Sequence, residues 1–108
     1  CNFQYQKTAI YQMDIIKQYL LRNNVNDCLI VGDFNLRENY MNLFLKDNND
    51  FKIKYNYDNL ISFPKQKELL DYFIFYNTFF EDKKIDFKIF NNIYYSDHYP
   101  IMLSINEI

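Results

Sequence analysis

The chain has 108 residues, 49% of them hydrophobic and 24% charged, a balance typical of one globular domain. Its formal net charge of −2 excludes the strongly basic surface with which nucleic-acid-binding domains hold phosphates. Two cysteines exclude a disulfide framework, and no apolar stretch approaches the ~20 residues that a membrane-spanning helix needs.

Hydrophobic periodicity predicts one clear helix near the start of the chain and a series of strands after it. Apolar residues recur at helical spacing over residues 8–22, with Thr8 as the N-cap and Asn23-Asn24 as the stop. A second, short helix is predicted over residues 38–45. Strands are predicted over residues 28–31, 51–55, 69–75, 85–90 and 101–105. One helix followed by mainly β-strands indicates an α/β or α+β fold.

The only glycine of the chain follows the first predicted strand, in the motif Gly32-Asp33-Phe34-Asn35. Glycine permits a turn or a close approach that a Cβ would obstruct. Asp33 and Asn35 are two residues apart, so in extended backbone their side chains project to the same side. A carboxylate there can hold a hard cation or a water, and an amide can donate to a phosphate oxygen. The alternative is a strand-ending turn that uses these residue types for their turn preferences.

The only histidine lies in a second motif, Ser96-Asp97-His98-Tyr99-Pro100. An imidazole can take a proton from an attacking water, and the neighbouring Asp97 offers a carboxylate to a metal ion. Asp71 opens an apolar run, where an acidic side chain is costly unless it is paired or at a strand end. His98 is its natural partner, because a carboxylate fixes the tautomer of a general base. The alternatives are a surface loop at His98 and a solvent-facing strand edge at Asp71.

In this order, the motifs resemble the C-terminal half of the endonuclease/exonuclease/phosphatase superfamily, whose members share the DNase I-like fold. The matching segments are Gly32-Asp33-Phe34-Asn35, the run that Asp71 opens, and Ser96-Asp97-His98-Tyr99-Pro100, with Ser62-Phe63-Pro64 as a further similarity. The resemblance implies a partial four-layer β-sandwich, with residues 1–108 as the C-terminal part of the domain. The superfamily also uses an N-terminal half with an Asn, a metal-binding Glu and a second His, none of which can be assigned in this sequence.

The resemblance further implies a phosphoester hydrolase, most directly a phosphodiesterase or nuclease, in which water attacks phosphorus in line. It makes Asp33, Asn35, Asp71 and His98 catalytic. Asp33 and Asp97 would be metal ligands, and Asn35 and His98 would contact the substrate phosphate. The implied cofactor is Mg²⁺, with Mn²⁺ as a substitute. A bound divalent ion would also supply the positive field that a chain of this net charge lacks.

These motifs leave the substrate and the completeness of the site open. The phosphoester is either a nucleic acid or a phospholipid headgroup, the latter in a sphingomyelinase-like or phosphoinositide-phosphatase-like enzyme. Alternatively, the chain is a truncated, non-catalytic family fragment or a binding module. Because the metal-anchoring half is not visible, residues 1–108 alone are expected to show little or no activity. Neither the compartment nor the oligomeric state can be read from the sequence.

Overall fold

The structure, a computed structural model, describes residues 3–77 and 82–107. Within these ranges the chain forms two helices and five strands. In chain order they are α1 (Phe3–Arg22), β1 (Cys28–Asp33), α2 (Glu38–Asp47), β2 (Phe51–Lys52), β3 (Asp71–Tyr76), β4 (Lys83–Ile89) and β5 (Ile101–Glu107). The predicted α+β class is confirmed, whereas the DNase I-like sandwich stays a prediction. In the described ranges, no helix combines the length and the apolar character needed to cross a bilayer.

Helix α1 ends where the sequence predicts but begins earlier. It starts at Phe3, so Thr8 lies inside the helix and the predicted N-cap is wrong. At the other end, Asn24 adopts a left-handed conformation with φ of 53°. The amides of Asn24 and Val25 then donate to the carbonyls of Leu21 and Leu20. This pattern satisfies the last helical carbonyls and confirms the predicted stop, because asparagine tolerates the left-handed region.

The larger sheet has the strand order β1-β3-β2 with antiparallel pairing throughout. Its central strand β3 is nearly all apolar, because both of its faces are covered. The register pairs Cys28 with Tyr76 at one end of the sheet and Asp33 with Asp71 at the other. Both helices contribute residues to the core that is buried against this sheet. The core contains Ala9, Met13, Leu20, Leu36, Met41, Phe44, Phe51, Leu69, Tyr72, Ile74 and Tyr76.

Strand β2 is much shorter than the predicted strand over residues 51–55, since only Phe51–Lys52 pairs with β3. Beyond Lys52, a side chain takes the place of the backbone partner that β2 would otherwise provide to β3. The hydroxyl of Tyr55 accepts the hydrogen bond from the backbone N–H of Phe73 at 2.9 Å. The alternating pattern of residues 51–55 therefore reflects side chains that pack on the sheet without extending it.

Strands β4 and β5 form a second, two-stranded antiparallel sheet, with Ile89 opposite Ile101 at the end where residues 90–100 connect the strands. Both strands were predicted. Strand β4 begins two residues earlier and ends one residue earlier than predicted, and β5 ends two residues later. Aromatic packing joins this sheet to the rest of the molecule: the Phe87 ring stacks on Tyr55 with centroids 4.1 Å apart. The segment between the two strands carries His98.

Candidate active site

Two carboxylates face each other at one end of the larger sheet. Asp33 is the last residue of β1 and Asp71 the first of β3, and the antiparallel register places them directly opposite each other. Like charges in this position destabilise a strand pair unless a cation or a proton donor lies between them. The sheet therefore requires a compensating group at this end.

His98 is that group. Its Nδ1 lies 2.7 Å from Asp71 Oδ2, and its Nε2 lies 3.4 Å from Asp33 Oδ2. Because an ionised carboxylate can only accept, the proton of the neutral ring is on Nδ1 and is donated to Asp71. The Phe63 ring lies against the imidazole, with centroids 4.7 Å apart. The His98 side chain is 24% exposed, so the ring is held on several sides yet remains open to solvent.

The surroundings of His98 raise its pKa above the usual value. Partial burial by itself favours the neutral ring and acts in the opposite direction. The hydrogen bond and charge of Asp71 outweigh burial, and the negative charges of Asp33 and Asp97 add to this effect. The cluster therefore stabilises an imidazolium, which is the species that a general base becomes when it takes a proton.

This raised pKa makes part of the stability of the fold depend on pH. Since the folded-state pKa lies above the unfolded value of about 6.5, His98 stabilises the fold below that pH and loses its contribution as pH rises through the folded pKa. We expect the wild type to exceed His98→Gln in free energy of unfolding by more at pH 5.5 than at pH 8.5. Urea titrations in EDTA measure both differences, and a difference that grows with pH would contradict the assignment.

Ser62 supports the Asp71 carboxylate from behind. Its side chain is fully buried, and its Oγ donates to Asp71 Oδ2 at 2.7 Å. The same Oγ accepts from the backbone N–H groups of Leu70 and Asp71, at 3.0 and 3.3 Å. The Ser62 carbonyl accepts from the N–H of Tyr99 at 2.7 Å, which ties the histidine segment to the same point. Ser62 thus fixes both partners of the His98–Asp71 pair.

The segment after β1 turns sharply, which corrects one prediction. Extended backbone ends at Asp33, and Asn35 is left-handed with φ of 51°, so the two side chains do not continue one strand face. Instead, Asp33 Oδ1 accepts from the backbone N–H of Asn35 at 2.9 Å. One oxygen of Asp33 therefore shapes the turn while the other faces His98.

Gly32 lies within β1, one residue before its end, and has an unusual backbone conformation. Its φ is 156°, and among the described residues other than its two chain neighbours, no atom lies within 4 Å of the position that a Cβ would occupy. The close approach that the sequence allowed at this position is absent. The conformational requirement remains, because side chains rarely adopt this φ.

The structure brings three of the predicted site residues into one cluster: Asp33, Asp71 and His98. Their ligand atoms all lie within 4.8 Å of one another. Asp97 is exposed and lies outside this cluster, although its charge contributes to the raised pKa of His98. Asn35 lies beside the cluster through its backbone contact with Asp33. The roles of Asp97 and Asn35 therefore stay predictions.

Sequence reasoning missed the supporting polar residues. Ser62 belongs to a segment that was noted as similar to the family, but no role followed from that similarity. Gln6 was missed because the predicted helix began after it. The signal was present: Gln6, Ala9 and Met13 recur at helical spacing, and all three are buried in α1.

The chemistry of the donor atoms is compatible with a hydrated divalent cation. Mg²⁺ prefers oxygen ligands, keeps several waters and is commonly held by one or two carboxylates. Asp33, with a side chain 36% exposed, offers such an oxygen, and the exposed Asp97, which precedes His98 in the chain, offers another. Asp71 is less suited, because its Oδ2 is engaged by both Ser62 and His98.

Comparison with known proteins gives no match to this chain among protein-family models, curated proteins or solved structures. Evidence on function therefore comes from the residues themselves and from the geometry described above.

Proposed function

We propose that this chain carries the histidine–aspartate side of a metal-dependent phosphoester hydrolase, most directly a phosphodiesterase. One observation carries the proposal: the single histidine donates to Asp71 through Nδ1, while its Nε2 faces a second carboxylate, Asp33. The order of the three motifs along the chain, and their resemblance to the superfamily, add support.

The arrangement is suited to activating water. With Nδ1–H bound to Asp71, the lone pair of Nε2 is available to a water molecule on the Asp33 side. Nε2 would take one water proton as the oxygen forms its bond to phosphorus. The bond to the leaving oxygen breaks in line, and that oxygen takes a proton from solvent. The imidazolium formed in this step would be stabilised by both carboxylates.

Asp33 and Asp97 are the residues that would hold the divalent ion, with water completing its shell. When bound, the ion would neutralise charge on the phosphoryl oxygens, a task for which a chain of net charge −2 has little other means. Asn35 would donate its side-chain amide to a phosphate oxygen.

The test is hydrolysis of a simple aryl phosphodiester with Mg²⁺ and with EDTA. Residues 1–108 are assayed beside any longer chain that the same reading frame encodes, and variants are compared in whichever of them hydrolyses the substrate. We expect Mg²⁺-dependent hydrolysis that EDTA abolishes and that His98→Ala reduces by at least about 10²-fold, the usual contribution of a general base.

Equal hydrolysis by the wild type and His98→Ala, or no hydrolysis by either chain, would contradict the proposal. The second outcome would favour the alternative of a non-catalytic binding module. If hydrolysis is found, comparing an abasic-site DNA duplex with sphingomyelin separates nucleic acid from phospholipid headgroup as the preferred substrate.

A further inference from the structure

A fully buried glutamine on α1 holds the turn that follows β1. Gln6 Nε2 donates to the carbonyl of Asn35 at 2.9 Å, and Gln6 Oε1 accepts from the backbone N–H of Arg37 at 2.8 Å. The Gln6 side chain has no exposed surface. Both ends of one amide are thus used on a segment about thirty residues away in the chain.

The turn needs such partners because it lies outside the sheet ladder. Buried backbone groups that lack ladder partners must be satisfied by side chains or water. The carbonyl of Leu36, between the two groups bound by Gln6, accepts from the hydroxyl of the buried Tyr72 at 2.7 Å. Two buried side chains from other elements therefore bind three successive residues of the turn.

This binding falls on the one residue of the turn with an unusual backbone. A non-glycine residue in the left-handed region is strained, and it persists when its surroundings fix it. Asn35 has that conformation, with Asp33 bonded to its N–H and Gln6 bonded to its carbonyl. Both backbone polar groups of Asn35 are therefore occupied by side chains.

We infer that Gln6 is a positioning residue that fixes the backbone at Asn35, and with it the amide that contacts the substrate phosphate. The inference rests on the proposed function, since the phosphate contact of Asn35 belongs to it. Misplacing a group by about 1 Å can cost about 10²-fold in rate. A glutamine remote from the reacting atoms would thus affect turnover through Asn35.

The first measurement needs no turnover. Gln6→Met keeps the length of the side chain and removes both hydrogen bonds, and Gln12→Met is the control on an exposed position of the same helix. We expect Gln6→Met to speed hydrogen exchange of the Arg37 amide by at least about tenfold, while Gln12→Met leaves it unchanged. Equal exchange in the wild type and Gln6→Met would overturn the inference.

The second measurement separates positioning from simple stability. We expect Gln6→Met to lower kcat by about tenfold with little change in KM, and to cause no further loss in an Asn35→Ala background. Equal losses in both backgrounds would show a structural role only and overturn the inference. If Gln6→Met does not fold, Gln6→Glu is compared in the same two backgrounds. Its carboxylate can accept a hydrogen bond from the Arg37 N–H but cannot donate one to the Asn35 carbonyl.

The two proposals fail differently. If the wild type hydrolyses nothing but its Arg37 amide exchanges slowly because of Gln6, the proposed function is contradicted. Gln6 would then still be the residue that fixes the backbone at Asn35. Hydrolysis by the wild type together with an unprotected amide, or with uncoupled losses, would remove the inference about Gln6 instead.

Discussion

Replacing Asp71 by asparagine should reduce phosphodiester hydrolysis by about 10²–10⁴-fold while leaving the fold intact. The amide has the shape of the carboxylate but can turn its NH₂ group toward His98. Nδ1 would then accept a hydrogen bond, and the ring proton would move to Nε2, the nitrogen that must receive the water proton. Steady-state kinetics in saturating Mg²⁺ measures the loss, with the exposed Asp86→Asn as the matched control.

The rate losses caused by substituting Asp71 and His98 should not multiply in the double variant. If Asp71 acts only through His98, the double variant Asp71→Asn/His98→Ala should be no slower than His98→Ala alone. Multiplied losses would show that Asp71 works independently of the imidazole. NMR of the ring provides a second readout, since the chain has a single histidine and its signals need no assignment.

Replacing Asp33 by asparagine should raise the Mg²⁺ concentration needed for half-maximal hydrolysis by at least about tenfold. Losses of this size in metal affinity are common when a group at a metal centre is replaced. The substitution is well matched, because the amide oxygen can still accept from the N–H of Asn35 and preserve the turn. What it removes is the negative charge that faces His98 Nε2 and that would hold the cation. The Mg²⁺ concentration for half-maximal hydrolysis is the quantity to compare, with the exposed Asp14→Asn as the control.

Mn²⁺ gives a test of the same residue without turnover. Its unpaired electrons should broaden the His98 ring signals in the wild type at concentrations that leave Asp33→Asn sharp. Equal broadening in the two proteins would place the cation elsewhere, for example at Asp97 alone. An unchanged Mg²⁺ requirement in Asp33→Asn would contradict its assignment as a metal ligand.

Much of the local structure follows from short-range pattern. The alternation of apolar and polar residues predicted β4 and β5, and Asn24 predicted the end of α1, because both depend on neighbours in the chain. The start of α1 and the length of β2 were wrong. The predicted helix began too late because the helical spacing of buried residues extends back to Gln6. The predicted β2 was too long because the Tyr55 hydroxyl, and not a backbone group, bonds to β3.

The sequence by itself determined which residues make up the candidate site: one glycine, one histidine and three acidic residues, placed at strand ends or in the loop before β5. Only the tertiary structure decided how they meet. Asp33 faces Asp71 because of the register of β1 on β3, and His98 reaches Asp71 across 27 residues of chain.

The roles of Ser62 and Gln6 can be recognised only in the tertiary structure, since each is a buried polar side chain whose hydrogen-bond partners come from another segment. The physical reason is the range of the interactions. Periodicity reports which face of an element is buried, whereas register and side-chain pairing depend on packing between elements far apart in sequence. The lone histidine thus marked the site in the sequence, and two opposed carboxylates define it in the fold.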